Sequence, residues 1–280
     1  MSGIGLLNEK PLHAALKQWC ARPGDRFEVP VDGFVIDIVR RREREEGEDL
    51  LIEIQTRNLA AINSKLIRLT RSHQVRLIYP IVKEKWIVRS ASIGSRASNS
   101  SEGRNSLTQR RRVRRDTEDT VVRRKSPKKG RLEDLFWELV SIPQLLSNPN
   151  FSLEVLMIRE EEVRRNDRRR RKGWVLEGRR LLEVIDQHLF TKSEDWLAFV
   201  PTGLSSFTTG DLVTGREMRI ELAQKLAYCL RHGRMIELIG KRGRANLYRV
   251  ALSSSSKTES TDFADYAELN NNAKILSSGD

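Results

Sequence analysis

The sequence predicts an α+β protein in two structured parts joined by a basic stretch, and three observations carry that expectation. The runs FVIDIV and LLIEIQ place polar residues at every second position of an apolar segment, the period of a strand. Upstream of them, Leu12, Ala15, Leu16 and Trp19 recur at helical spacing. Between residues 90 and 131 the composition turns to Ser, Arg, Lys and Gly, with thirteen basic and four acidic residues and too little apolar area to offset the entropy of ordering the backbone.

The whole chain bounds the function before any motif does. Its 280 residues carry a formal net charge of +13, which favours a polyanionic partner through counterion release. No apolar run approaches the roughly eighteen residues a membrane span needs, and no secretory signal is visible at the start. A soluble, cytoplasmic protein with no membrane partner is expected. Cys20 and Cys229 lie far apart with no metal-like spacing and are expected to be small core residues. With four His and two scattered Cys a zinc site is not expected, and no Ser/His/Asp or Cys/His arrangement or Gly-rich phosphate loop is visible.

In order along the chain, Asn8 is expected to cap the first helix, with Pro11 in its first turn, where N–H groups have no intrahelical partner. RFEVPVDGFVIDIV reads as two strands turned at Asp32-Gly33, a strong hairpin signal. After the polar insertion RRREREEGED comes the strand LLIEIQ. Asn58 is then expected to cap a helix running to about Ser72, followed by two strands, VRLIYPIV and KWIVR. Beyond the basic stretch, RLEDLFWELVSIPQLL reads as an apolar helix, SLEVLMIREEEVR and GWVLEG as a strand pair, and RRLLEVIDQHLF as another helix. Thr208 or Thr209 is expected to cap a short helix, with a second from Glu217 to Arg231 and a hairpin whose tip is Lys241-Arg242-Gly243-Arg244. The expected boundaries are 1–90, a disordered basic linker at 91–130, a connecting region at 131–190, a second module at 191–252 and a disordered acidic tail from 253 to 280.

The chemistry is expected where strands carry carboxylates. Leu51, Glu53 and Gln55 share one face of LLIEIQ, and Asp37 lies between Val35 and Val39 on one face of FVIDIV. Burying an unpaired carboxylate costs several kcal/mol in order of magnitude, so each is expected to be paired, protonated or bound to a cation.

These residues resemble the PD-(D/E)XK nuclease superfamily, whose core is a helix, a three-stranded meander, a helix and a further strand. The resemblance covers roughly residues 6 to 90 and rests on Asp37, the triplet Glu53-Ile54-Gln55 and Glu9 in the leading helix, the last as in resolvase-like members. It implies a restriction-endonuclease-like mixed sheet flanked by helices, and a Mg²⁺ or Mn²⁺ ion held by Asp37, Glu53 and the Ile54 carbonyl, with Glu9 assisting. Such hard cations take oxygen ligands and activate water for attack on phosphorus. Gln55 stands where the superfamily usually has lysine, and offers hydrogen bonds in place of a charge. Lys65, on the following helix, is a candidate to supply that charge; Thr56 and Arg57 are candidates for phosphate contact. His13, one helical turn after Glu9, could face the same cleft, but a lone His is expected more often as a surface or packing residue.

Residues 207 to 250 resemble a winged helix-turn-helix, a fold that places one helix in the major groove and a basic hairpin against the backbone. Its DNA-contact candidates are Arg219, Gln224, Lys225 and Arg231 on the helix and Lys241, Arg242 and Arg244 on the hairpin. The sequence therefore points to a metal-dependent endodeoxyribonuclease delivered to DNA, with RNA as another substrate and a homodimer as the arrangement for cutting both strands. The rival is a non-catalytic DNA-binding regulator on a degenerate nuclease-like domain, which the glutamine at position 55 favours.

Overall fold

The first helix, α1, spans Pro11–Cys20, and Pro11 occupies its first turn, where a missing N–H costs nothing. Leu12 and Leu16, one turn apart, are buried, whereas Trp19 of the expected stripe faces solvent. The structure, a computed structural model, describes residues 10–41, 49–90, 122–166 and 173–251. The proposed cap Asn8 and the candidate Glu9 lie outside the described residues.

Strands β1 (Arg26–Val31) and β2 (Phe34–Arg40) form the expected hairpin. Asp32 (φ 49°) and Gly33 (φ 81°) are both left-handed at the turn, which matches its twist to that of the strands. β3 (Leu50–Ile54) completes an antiparallel meander with β2. Asn58 is itself left-handed (φ 54°) and makes no side-chain cap, so the expected single helix is instead a 3₁₀ turn, Leu59–Ile62, followed by α2, Asn63–Leu69.

The two strands expected after α2 are one, β4 (Gln74–Ser90), parallel to β3. Pro80 is tolerated inside it because pairing with β3 ends at Ile78 and pairing with β5 (Val122–Lys125) begins at Trp86. On its other side β4 runs parallel to β6 (Phe151–Asn166), which pairs with β7 (Trp174–Phe190). The result is a mixed seven-stranded sheet in the order β1-β2-β3-β4-β6-β7, with β5 beside β4. This agrees with the expected α+β class.

Three larger expectations are corrected as well. RRLLEVIDQHLF is not a helix: residues 179–190 belong to β7, because β6 offers a partner along nearly the whole strand, and that pairing overrides a locally helix-like apolar spacing. RLEDLFWELVSIPQLL is not continuous: it breaks into a 3₁₀ turn at Leu132–Leu135, the short helix α3 at Phe136–Leu139 and another 3₁₀ turn at Pro143–Ser147, since Pro143 cannot donate within a helix. The third concerns the boundary at residue 90. β5, β6 and β7 extend the same sheet, so residues 131–190 are part of its body and not a connection. Of the expected linker, 91–121 lie outside the described residues, while Gly130 donates to the Val82 carbonyl at 3.0 Å; a Cβ there would stand 2.4 Å from that oxygen.

The second expected module contains α4 (Ser193–Leu197), β8 (Phe207–Thr208), α5 (Thr209–Arg216), α6 (Ile220–His232), β9 (Ile236–Arg242) and β10 (Ala245–Val250). Thr208 caps α5 in a reciprocal box with Asp211. The second helix starts at Ile220 and not Glu217, which is left-handed at φ 50° and ends α5. A three-stranded sheet β8-β10-β9 closes the region. Its Phe207, Leu222, Leu226 and Leu230 share one apolar core with Leu66 and Leu69 of α2, Phe136 of α3 and Leu77, Leu153 and Val155 of the large sheet. A smaller core beneath α1 joins Leu12 and Leu16 to Ile38, Ile52, Ile54, Ile78, Leu156 and Ile158. Chain contacts group Met1–Val250 as one unit; Ala251–Asp280, the other, lies outside the described residues except for Ala251. No helix among the described residues is long and apolar enough to cross a membrane. Cys229 is buried and Cys20 half-buried, and burial pushes both thiols up to about 12.

Two predictions follow from this packing. Leu77→Ala, at a fully buried position of β4, should lower unfolding free energy by roughly 2–5 kcal/mol in urea titrations. Asp25 accepts from Arg40 Nε at 2.9 Å and Nη2 at 2.7 Å, and that guanidinium holds its carboxyl below the ordinary range. The folded state then binds fewer protons than the unfolded state, so this contribution is present at neutral pH and is lost as pH falls through the depressed pKa. Asp25→Asn should cost roughly 1–3 kcal/mol at pH 7, and its difference from wild type should shrink as pH falls below the ordinary carboxylate range.

Candidate functional site

Register brings the acidic residues of three strands into one row. Ile38 pairs with Ile52, so the next position sets Asp37 across from Glu53; on the other side Phe27 and Val29 pair with Ile38 and Ile36, bracketing Glu28 opposite Asp37. Directly opposed residues of an antiparallel pair share a face. Glu28 is left-handed at φ 52°, an uncommon state for a non-glycine residue inside a strand and one that costs of order 1–3 kcal/mol.

Asp37 Oδ2 accepts the Ile54 backbone N–H at 2.9 Å, tying it to β3. Two side chains of α1, one turn apart, reach the same carboxylate: His13 Nε2 stands 3.3 Å from Oδ2 and Lys17 Nζ 3.8 Å from Oδ1. Lys17 also pairs with Glu28. Burial alone would raise the Asp37 pKa, but the His13 hydrogen bond, the Ile54 N–H and the two cationic groups outweigh it and hold it below the ordinary value.

Glu53 is only 6 % exposed. Lys65, from α2, places Nζ 2.6 Å from Glu53 Oε1 and donates to the Val35 carbonyl, also at 2.6 Å. The buried Glu53 Oε1 thus has the Lys65 ammonium as its partner. Burial pushes Glu53 up to about 7, with the Asp37 charge adding to the rise and Lys65 opposing it. Neighbouring carboxylates thus titrate apart: Asp37 is ionised at neutral pH while Glu53 sits close to its midpoint.

Gln55 takes no part in this contact. Its Nε2 donates to the carbonyls of Arg57 (2.7 Å) and Asn58 (3.2 Å), closing the loop after β3. Arg57 is exposed on that loop. Among the described residues no group of three or more His, Cys, Asp or Glu is arranged to hold a metal ion, so the described part of the expected ligand set is Asp37, Glu53 and Ile54. Sequence reasoning missed Glu28 and Lys17. The signal for Glu28 was present, a lone acid amid the apolar residues of RFEVPV; Lys17 shares a helix face with His13 at i+4.

In the C-terminal region, Arg219, Gln224 and Arg231 are exposed at or on α6, and Lys241 and Arg244 at the hairpin tip. Lys225 is half-buried with its ammonium 5.1 Å from the centre of the Trp137 ring, and Arg242 pairs with Asp211 at 3.3 Å.

Residues 10–112 and 107–191 match a family described as "Domain of unknown function (DUF8091)". An uncharacterized protein of Treponema pallidum (strain Nichols) is 28 % identical over 254 residues, covering 88 % of this chain and 87 % of the relative. No solved structure matches.

The Lys65–Glu53 pair yields a direct test. Lys65→Met should destabilise the protein in urea titrations, with a loss that grows as pH rises, because without the ammonium the buried Glu53 carboxyl is driven further above about 7 and the folded state must hold a proton that the unfolded state has released. Adding Glu53→Gln should restore most of that loss.

Proposed function

This chain belongs to the family described as a domain of unknown function, DUF8091, so its chemistry is read from its own residues, and we propose that it is a divalent-metal-dependent nuclease hydrolysing phosphodiester bonds in DNA. The observation carrying this reading is the pair Asp37 and Glu53, set side by side on β2 and β3 with the Lys65 ammonium against Glu53. The surrounding order supports it: α1, an antiparallel three-stranded meander, α2 and a strand parallel to β3, the element order of a restriction-endonuclease-like core.

The donor set fits a hard cation such as Mg²⁺ or Mn²⁺. Two carboxylates lie on adjacent strands, and the buried Glu53 Oε1 is held by the Lys65 ammonium at 2.6 Å, a cation whose place a metal would contest. Asp37, Glu53 and the Ile54 carbonyl would hold the ion, with Glu9 beyond the described residues as a fourth contributor. When bound, such an ion polarises the phosphoryl group and lowers the pKa of water. Lys65 brings a positive charge to the place where negative charge develops at phosphorus, the task that Gln55, turned to its own loop, does not perform. The Ile54 N–H and His13 hold the Asp37 carboxylate in its ionised, oriented form.

The order β8, α5, α6 and the β9–β10 hairpin supports a winged-helix role for residues 191–252. Arg219, Gln224, Arg231, Lys241 and Arg244 are exposed for contact with DNA, whereas Lys225 and Arg242 are engaged with Trp137 and Asp211.

A second reading, a DNA-binding regulator without catalysis, is favoured by one observation: His13, Lys17 and Lys65 already balance the two carboxylates inside the protein. Nicking of supercoiled plasmid in Mn²⁺ separates the two. Asp37→Ala and Glu53→Ala should each reduce nicking at least about a hundredfold and abolish calorimetric Mn²⁺ uptake. Equal background in wild type and variants, with no uptake by any, replaces the nuclease with the regulator.

A further inference from the structure

A second charged cluster lies farther along the sheet. Beyond Ile78, β4 has lost β3 as a neighbour, and β5 joins it at Trp86. Along this gap runs a cleft of about 370 Å³ that begins at Thr56, just past β3, and continues over Lys85, Ile87, Lys128, Arg164 and Arg179. Pairing across β5, β4, β6 and β7 aligns Arg124, Ile87, Glu162 and Arg179 in one row, and two positions on, Arg89 opposes Arg164. Residues so opposed, and those two apart, share a face.

Two buried carboxylates fix the cationic heads. Glu160 is fully buried; its Oε2 accepts from Arg179 Nε at 2.6 Å and its Oε1 stands 3.2 Å from Lys85 Nζ. Glu162 accepts from Lys85 at 2.9 Å and from Arg164 through its other oxygen. Such a buried network adds little net stability over apolar packing, but it removes rotamer freedom from three cations. Arg124 and Lys128 are exposed and have no acidic partner among the described residues. Arg89 stacks over the Trp174 ring at 5.0 Å, and its Nε is buried without a hydrogen bond. Lys85, Arg89, Arg124, Lys128, Arg164 and Arg179 stand against Glu160, Glu162 and Asp134, so this surface has a surplus of three positive charges.

We propose that this cleft is a DNA-binding channel that seats the phosphate backbone of a duplex leading away from Asp37 and Glu53. The inference rests on the nuclease reading for its substrate, and it adds a contact surface separate from α6 and the β9–β10 hairpin. Backbone contact is favoured over base stacking because the Trp174 indole on this face already has a guanidinium, that of Arg89, over its ring.

The test measures anisotropy of a short fluorescein-labelled DNA duplex with the full chain in EDTA, so that no cleavage intervenes. Arg124→Glu and Lys128→Glu should each weaken binding about tenfold and flatten the slope of log K against log salt by about one. Arg71→Glu, which reverses an exposed charge just before β4 at the other end of that strand, should leave both readings nearly unchanged. Wild-type affinity in the two cleft variants, or equal weakening by Arg71→Glu, overturns the channel. So does a single strand that binds as tightly as the duplex. The nuclease reading fails separately: it rests on nicking and Mn²⁺ uptake by Asp37 and Glu53, neither of which this titration in EDTA reads.

Discussion

Ionising a carboxylate inside an apolar sheet is the constraint around which the first part of this chain is arranged. Glu53 lies on β3 between Ile52 and Ile54, and Asp37 crosses to it from β2, so one negative charge raises the cost of the next. The helices that flank the meander answer this from two sides. α1 brings His13 and Lys17 to Asp37, and α2 brings Lys65 to Glu53. Helix packing and carboxylate compensation are therefore one requirement: Leu12 and Leu16 seat α1, and Leu66 and Leu69 seat α2, at the places from which His13, Lys17 and Lys65 reach.

This pairing was legible in the sequence because strand alternation is a strong local rule. A lone acid amid aliphatic residues at period two has a defined face, and that was enough to single out Asp37 and Glu53 before any coordinates. The hairpin at Asp32-Gly33 and the Thr208 cap were legible for the same reason, since each depends on the conformational preferences of one or two residues. Glu28 was not read, although its surroundings are similar. Its importance lies in a left-handed backbone and a bond to Lys17, neither of which has a local signature.

The larger misreading concerned β7. Leu181, Leu182, Val184, Ile185 and Leu189 satisfy a helical spacing as well as an extended one, and no residue in that stretch decides between them. The decision comes from β6, paired along β7 with three register irregularities that shift which side chains point inward. Long-range pairing of this kind cannot be inferred from a window of a dozen residues. The same holds for the cleft: Lys85, Arg164 and Arg179 come from three strands and meet only once the sheet is assembled.

One apolar core runs from the large sheet through Phe136 to α6 and Tyr248 without a break. Moving the helix-and-hairpin end against the strands that carry the two carboxylates would therefore expose buried side chains. The separation between them is set by packing, much as a caliper is locked at one opening. Changing the distance from α6 to Asp37 and Glu53 would thus require repacking the interior.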